Sequence, residues 1–560
     1  MDVAKDGEAF TRAFASLLML DRIDEGYDPA FTFERDDAGR LVYYIDLPEA
    51  AFSKASSKSA PIVRNGRTRR FKVTEILCHR ESICGRATIV LRIREELETE
   101  GQDPKEYALK MIWRDPERGS EGEILGQVHG RFGLSQSIWY CDVSMPGKCQ
   151  CAVTEDEWCP SCVDQTVQVK GLHVCDKLRD INIVVPLEDE GEEQVEHVDT
   201  TKCRPTTHVR PLRTYSYIVM ESVGVPLWQA ETPRRFLTAV LDAILGYWGA
   251  FNMGIMHRDI SDGNVLMLTD DPMFTRREWL EPRVVDLRIQ DPTLMKSEEK
   301  LRAILEEIGH RDPTGMLSDF DLYAMHSSVA NLLTSSTGIP GTTDTGPAHS
   351  SRRRPEGEAP SEPNSKRRKT NSRVAAPVLS DPVSTQEQNQ ITGEELEIHS
   401  QRIKRRLIDF RTGTPAFMSV CVLNIDAGTP YHHHFFDDLE SFFWLLLWCT
   451  AAHLDEGKRH PTPAAQDTLN DLNQEKLKSM RTWKRAFLAD AAYPQDTART
   501  LENFRNEWAS DPLVSSVIIN MGVFLSEFAR PENRERLQGS PDEAFSQVVT
   551  IFLDALGPNK

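Results

Sequence analysis

Basic residues are in short supply: 66 Lys and Arg face 86 Asp and Glu, a formal net charge of −20 over 560 residues. Polyanion binding needs a basic surface, so direct nucleic-acid binding is not expected as the main activity, although a local basic patch fits within that total. Cysteine is scarce too, and eleven in the whole chain are too few for a disulfide scaffold. The opening MDVAKDGEAF has no sustained apolar core and mixes acids with bases, so neither a secretory nor a transit signal is expected. The longest apolar stretch, Phe442 to Ala452, falls short of the roughly 20 residues that a membrane helix needs. It reads instead as a buried helix of a globular core. The expected location is therefore intracellular, with no membrane partner.

An apolar share of 39% supports more than one core, or one two-lobed domain with insertions. Residues 1 to 60 hold an apolar stretch at Phe14, Leu17, Leu18 and Leu20, then a hairpin pattern, FTFERDDAGRLVYYI, turning at Asp37 to Gly39. From Phe71 to Trp113 the runs FKVTEIL, ATIVLRI and YALKMIW alternate as strands of a small antiparallel sheet. Gly119 to Val128 is helical in pattern, and YSYIVM (215 to 220) reads as a buried strand leading into VGVP. Phe236, Leu237, Val240, Leu241, Ile244, Leu245 and Trp248 then recur at helical spacing. DDLESFFWLLLWC is apolar on every side, which predicts a helix buried all round.

The chemistry is concentrated in His257-Arg258-Asp259-Ile260-Ser261-Asp262-Gly263-Asn264. Phosphoryl transfer asks little covalent chemistry of a protein, but it needs an aspartate to accept the acceptor's hydroxyl proton and a nearby magnesium ligand. Asp259 and Asn264 stand at the spacing for those two tasks. A second His-Arg-Asp, His310 to Asp312, lacks the asparagine five positions on and is set aside. Upstream, Tyr107-Ala108-Leu109-Lys110 ends a strand pattern with a lysine suited to anchor phosphate, and the glutamate to pair with it is Glu121, or Glu123. Downstream, Asp319-Phe320 follows the apolar Met316-Leu317 and supplies a second metal ligand. Val284-Val285-Asp286 competes for that position but lacks the aromatic. Arg411-Thr412-Gly413-Thr414-Pro415 resembles the peptide-docking segment of protein kinases, and Asp438-Leu439-Glu440-Ser441 resembles the start of their central helix, which anchors the catalytic loop.

In this order the motifs resemble the eukaryotic protein-kinase fold. HRDISDGN, SDFDL, RTGTPAFM and DDLESFFWLLLW are similar to the fungal-type protein-kinase family expanded in mushroom-forming fungi, over about residues 70 to 460. The resemblance implies an α+β fold of two lobes, a small antiparallel-sheet N-lobe and a larger helical C-lobe, with ATP and Mg2+ as cofactors and protein serine or threonine as acceptor. It implies catalytic roles for His257, Arg258, Asp259 and Thr414, ATP contacts at Lys110, Glu121, Gly85, Met220, Glu221 and Val223, and magnesium at Asn264 and Asp319. Thr414 bears on acceptor class, because tyrosine kinases usually carry proline there. The chain also departs from the pattern. Only Gly85 stands where a glycine-rich loop is expected, Asp321 replaces the glycine of D-F-G, Ser261 replaces a lysine, and Cys421 replaces the glutamate of A-P-E. Two other readings compete, a pseudokinase or nucleotide-binding scaffold and a small-molecule kinase. Retention of Lys110, Asp259, Asn264 and Asp319 argues against the first, and Arg258 with RTGTP against the second.

The domain boundaries expected are an N-terminal extension to 65, an N-lobe at 66–221 with a cysteine-bearing insert at about 141–205, and a C-lobe at 222–334 and 396–560. The stretch 335–395 between them is dominated by Gly, Pro, Ser, Thr and charge and is expected to be disordered. It carries basic clusters at 352–354 and 366–369, whose separation suits an importin-type receptor and predicts a nuclear location. Cys149, Cys151, Cys159 and Cys162 form two close pairs that suit a structural Zn2+, with free thiols as the alternative.

Overall fold

The computed structural model describes residues 28, 30–52, 67–79, 87–96, 104–116, 119–145, 165–166, 168–169, 181–186, 193–198, 213–269, 291–309, 311–325, 413–425, 431–528 and 530–557. The four clustered cysteines, Gly85, Asp286, both basic clusters and the stretch 335–395 lie outside them.

The first half of the chain builds an antiparallel sheet from β1 (Phe31–Arg35), β2 (Leu41–Pro48), β3 (Thr68–His79), β4 (Ile89–Glu95), β5 (Glu106–Arg114), β6 (Ser137–Asp142) and β7 (Arg213–Met220). Their spatial order is β1-β2-β3-β4-β5-β7-β6, so β5 lies between β4 and β7. Tyr107 to Ile112 are all buried, because both faces are covered: Tyr107, Leu109 and Met111 pack into one apolar cluster and Ala108 into another. The hairpin read at Phe31 to Ile45 is present, turned by Asp36, whose carboxylate accepts from the amides of Ala38 and Arg40. β2 then pairs with β3, making the hairpin the edge of the same sheet.

Between β5 and β6 lies a short helix, α1 (Glu121–Gln127). Gly122 lets it approach the sheet, since a Cβ there would come 2.1 Å from Tyr140 Cγ. The second half is helical. α2 (Pro233–Asn252) begins with Thr232 accepting from the Arg235 amide and with Pro233 in the first turn. Two short strands follow, β8 (Val265–Leu268) and β9 (Gly315–Leu317), paired antiparallel and flanking an insertion that holds α3 (Pro292–Glu307). Then come α4 (Phe435–Ala452), α5 (Leu477–Asp490), α6 (Pro512–Phe528) and α7 (Pro541–Leu556) among shorter helices. α4 is buried along nearly its whole length, as its unbroken apolar circumference requires, and His434 and Asp437 close a reciprocal cap at its start. Among the described residues no single helix is long and apolar enough to cross a membrane. The architecture is the two-lobed α+β fold expected.

The insertion is fixed where it rejoins the core. Arg311, from the His-Arg-Asp set aside above, donates to Asp242 of α2 at 2.5 and 2.8 Å, and the Thr314 and Gly315 amides donate to the same carboxylate. This buried group therefore sets the start of β9, whose last residue, Leu317, is separated from Asp319 only by Ser318. Burial pushes Asp242 above the ordinary carboxylate range, against the pull of Arg311 and the two amides. Arg311→Leu strands a buried carboxylate, and we expect it to lower unfolding free energy by about 3–5 kcal/mol in denaturant titration.

Candidate active site

Lys110 projects from the middle of β5 and is 3% exposed. Its Nζ donates to Glu121 Oε2 at 2.6 Å and to Asp319 Oδ1 at 2.7 Å. Glu121 holds the other side with its second oxygen, accepting the Phe320 amide at 3.1 Å. One carboxylate thus ties strand, helix and the Asp-Phe turn together. Glu123 is exposed, so the choice left open by the sequence falls on Glu121. Asp319 adopts φ 64°, ψ 67°, a left-handed conformation uncommon for aspartate, and packing around Phe320 stabilises it: this ring is fully buried and meets the His257 ring edge-on at 4.8 Å.

The charges here do not balance. Burial alone would lower the Lys110 pKa, but Asp319, Glu121 and Asp321 outweigh it and hold the group firmly as ammonium. Burial raises Glu121; Lys110 opposes this, and Asp319 and Asp321 add to it. The carboxylate of Asp319 and the amide oxygen of Asn264 are hard oxygen donors of the kind that suits magnesium. Asn264 and Asp319 both line the cavity described below.

The backbone at His257 and Arg258 is clasped from α4. Asp438, fully buried, accepts the His257 amide at 3.2 Å and the Arg258 amide at 3.0 and 3.2 Å. Arg258 is thereby held at φ 71°. His257 Nδ1 accepts the Asp259 amide at 3.3 Å, which leaves Nε2–H to donate to the Ser318 carbonyl at 2.9 Å, beside Asp319. Asn264 Nδ2 donates to the Asp259 carbonyl at 2.7 Å. Asp259 Oδ1 accepts twice from Thr414, from its amide at 2.8 Å and its hydroxyl at 2.9 Å. Gly413 is required just before: its φ is 112°, and a Cβ there would come 2.8 Å from the Arg258 carbonyl oxygen.

Sequence reasoning missed His433, whose Nε2 lies 3.1 Å from Asp438 Oδ1. Nothing in YHHHFF distinguishes one histidine from its neighbours; the signal lies only in the fold. Burial would lower His433, but Asp438 outweighs it and raises the pKa above 6.5. Its pairing therefore contributes stability that is full below about pH 6.5 and is lost as pH rises through the folded value. Melting curves of wild type and His433→Gln are expected to differ most in mild acid and to converge as pH rises.

A cavity of about 680 Å³ opens between the lobes. Val90 and Ala108 of the sheet line one side, Leu266 and Met316 the other, and Lys110 and Asp319 are among its polar walls. Of the expected ATP contacts, Lys110, Glu121 and Met220 line it. Glu221 and Val223 do not: Val223 is buried in the hydrophobic core, and the Glu221 amide is engaged by the Gln136 carbonyl at 2.9 Å. Ser222 and Gly224 face the cavity in their place.

A lysine locked to a helix glutamate beneath an antiparallel sheet, with an aspartate held by a threonine from a later segment, places the chain in the protein-kinase class. The chain belongs to the fungal protein kinase family, whose model matches residues 1–344 and 386–450. No curated protein matches it.

Proposed function

We propose that the protein transfers the terminal phosphoryl group of ATP to serine or threonine hydroxyls of protein substrates. The bond pair between Thr414 and Asp259 carries this reading, because it ties the segment that would receive a peptide to the base that would receive its proton. With Oδ1 engaged twice, Asp259 Oδ2 is the oxygen left to take the hydroxyl proton. Lys110, kept charged by its carboxylates, meets phosphate oxygens at the back of the cavity, and the Glu121 link to the Phe320 amide keeps Asp319 at the same wall. Asn264 and Asp319 are the residues that would hold magnesium, whose charge would offset that of the phosphates.

The test is product identity after incubation with labelled ATP, protein acceptors and small alcohols. Phosphoserine or phosphothreonine in protein supports the reading. Phosphotyrosine alone, or label only on the small alcohols, contradicts it. Nuclear import through the clusters at 352–354 and 366–369 is a separate proposal that rests on their composition, and a reporter fused to residues 345 to 375 that stays cytoplasmic would refute it.

A further inference from the structure

Lys484 of α5 has no part in the phosphoryl-transfer site, yet it is fully buried. Its Nζ donates to the Ala416 carbonyl at 2.7 Å and the Met418 carbonyl at 2.8 Å, and lies 4.7 Å from the centre of the Trp444 ring. The indole N–H of Trp444 donates to Glu440 Oε1 at 3.0 Å, and that oxygen also accepts the Val420 amide at 2.7 Å. A closed circuit results, running from the 416–420 backbone through Lys484, the Trp444 face and Glu440 back to the backbone. Donation of the indole N–H to a carboxylate enriches the ring face on which the cation rests. Ser419 Oγ adds a bond to Asp437 Oδ1 at 2.6 Å.

The circuit stands beside an altered anchor. At Cys421 the family pattern has a glutamate, and here Arg534 donates to the Cys421 thiol sulfur at 3.1 Å and lies 5.5 Å from the centre of the Phe528 ring. A neutral thiol holds a guanidinium far less firmly than a carboxylate does. Lys484 makes charge-assisted bonds to the carbonyls two and four residues C-terminal of Thr414, just where a peptide would lie after its acceptor hydroxyl meets Asp259.

We propose that Lys484 is a positioning residue for the acceptor polypeptide, fixing the backbone at 416–418 into a docking edge in register with Asp259. The inference rests on the protein-kinase reading above and names the part of that site that sets acceptor affinity. A buried ammonium costs far more than the methionine that would fill the same space, consistent with its keeping a particular backbone arrangement. Burial lowers its pKa to about 7, against the opposing charge of Glu440.

The experiment compares wild type, Lys484→Met and Lys484→Arg by steady-state kinetics with a protein acceptor, and by hydrogen exchange at the amides of 416–420. Loss of the two bonds is expected to raise the acceptor KM about tenfold or more, leave the ATP KM within about twofold, and speed exchange at these amides by a similar factor. Arginine should restore part of the acceptor KM. An unchanged acceptor KM in Lys484→Met, or equal rises in both KM values, would overturn the proposal. If wild type phosphorylates no protein, the kinase reading fails separately, and exchange decides alone: equal protection in Met variant and wild type removes any role for Lys484. Should Lys484→Met not fold, Trp444→Phe opens the circuit at its indole N–H and is expected to show the same split in smaller measure.

Discussion

Asp259→Asn is expected to lower kcat for acceptor phosphorylation by about 10²–10⁴-fold while leaving ATP affinity within a few-fold. The substitution is nearly isosteric, and the asparagine carbonyl oxygen can still accept from the Thr414 amide and hydroxyl, as Oδ1 does now. The loop itself is held elsewhere, by Asp438 on the backbone amides of His257 and Arg258 and by Asn264 on the Asp259 carbonyl. What changes is the other oxygen, which becomes an amide nitrogen and can no longer take a proton. Initial rates at saturating acceptor, beside nucleotide binding measured calorimetrically, separate the two effects. A variant that keeps wild-type kcat would show that Asp259 is not the base.

Lys110→Met is expected to act on both stability and rate. Without the ammonium, Glu121 and Asp319 face each other across the space it occupied, and Glu121 is 4% exposed. Breaking a buried pair from one side costs about 3–5 kcal/mol, so nucleotide-free protein should unfold at clearly lower denaturant concentration. Phosphoryl transfer should fall by about 10²–10³-fold, the usual result of deleting a preorganised electrostatic partner. The pH dependence has a definite sign. Burial already holds Glu121 above 4.5, with Lys110 opposing it, and removing Lys110 raises the group further. A folded pKa above the unfolded one contributes stability below pH 4.5 that is lost as pH rises through the folded value, so the deficit of the variant should widen toward neutrality.

The sheet strands β3 to β5 and helices α2 and α4 were legible because each is marked by local chemistry, and the residues proposed for the site were singled out by motif spacing. Alternation marks a half-covered strand such as β3, a run of apolar residues marks β5, a 3.6-residue period marks α2, and His257 to Asn264 have the spacing at which one tight loop would place a base and a metal ligand. The pairing of β2 with β3 was not legible, since the alternation within the β1–β2 hairpin carries no mark of the strand beyond it. α3 was missed within a charged insertion, although Asp291-Pro292 followed by Leu294, Leu301 and Ile304 forms a cap and an apolar face. Its polar contacts are also long-range: Ser297 accepts the Trp248 indole N–H, and Glu298 accepts from Arg131 and Asn252. Lys484 reads locally as one more base on an exposed helix face, and its partners lie 66 and 68 positions away. Glu121 was within reach because it shares a helical face with Ile124 and Leu125, whereas Glu123 does not.

The most direct test is magnesium-dependent transfer of labelled terminal phosphate from ATP to a general protein acceptor by the purified full-length chain. Label in the acceptor that requires magnesium and disappears in Asp259→Asn is the expected result. ATP binding that weakens when Lys110 is changed, with no label transferred by wild type to any protein, would contradict the enzyme and leave a nucleotide-binding scaffold in the kinase fold.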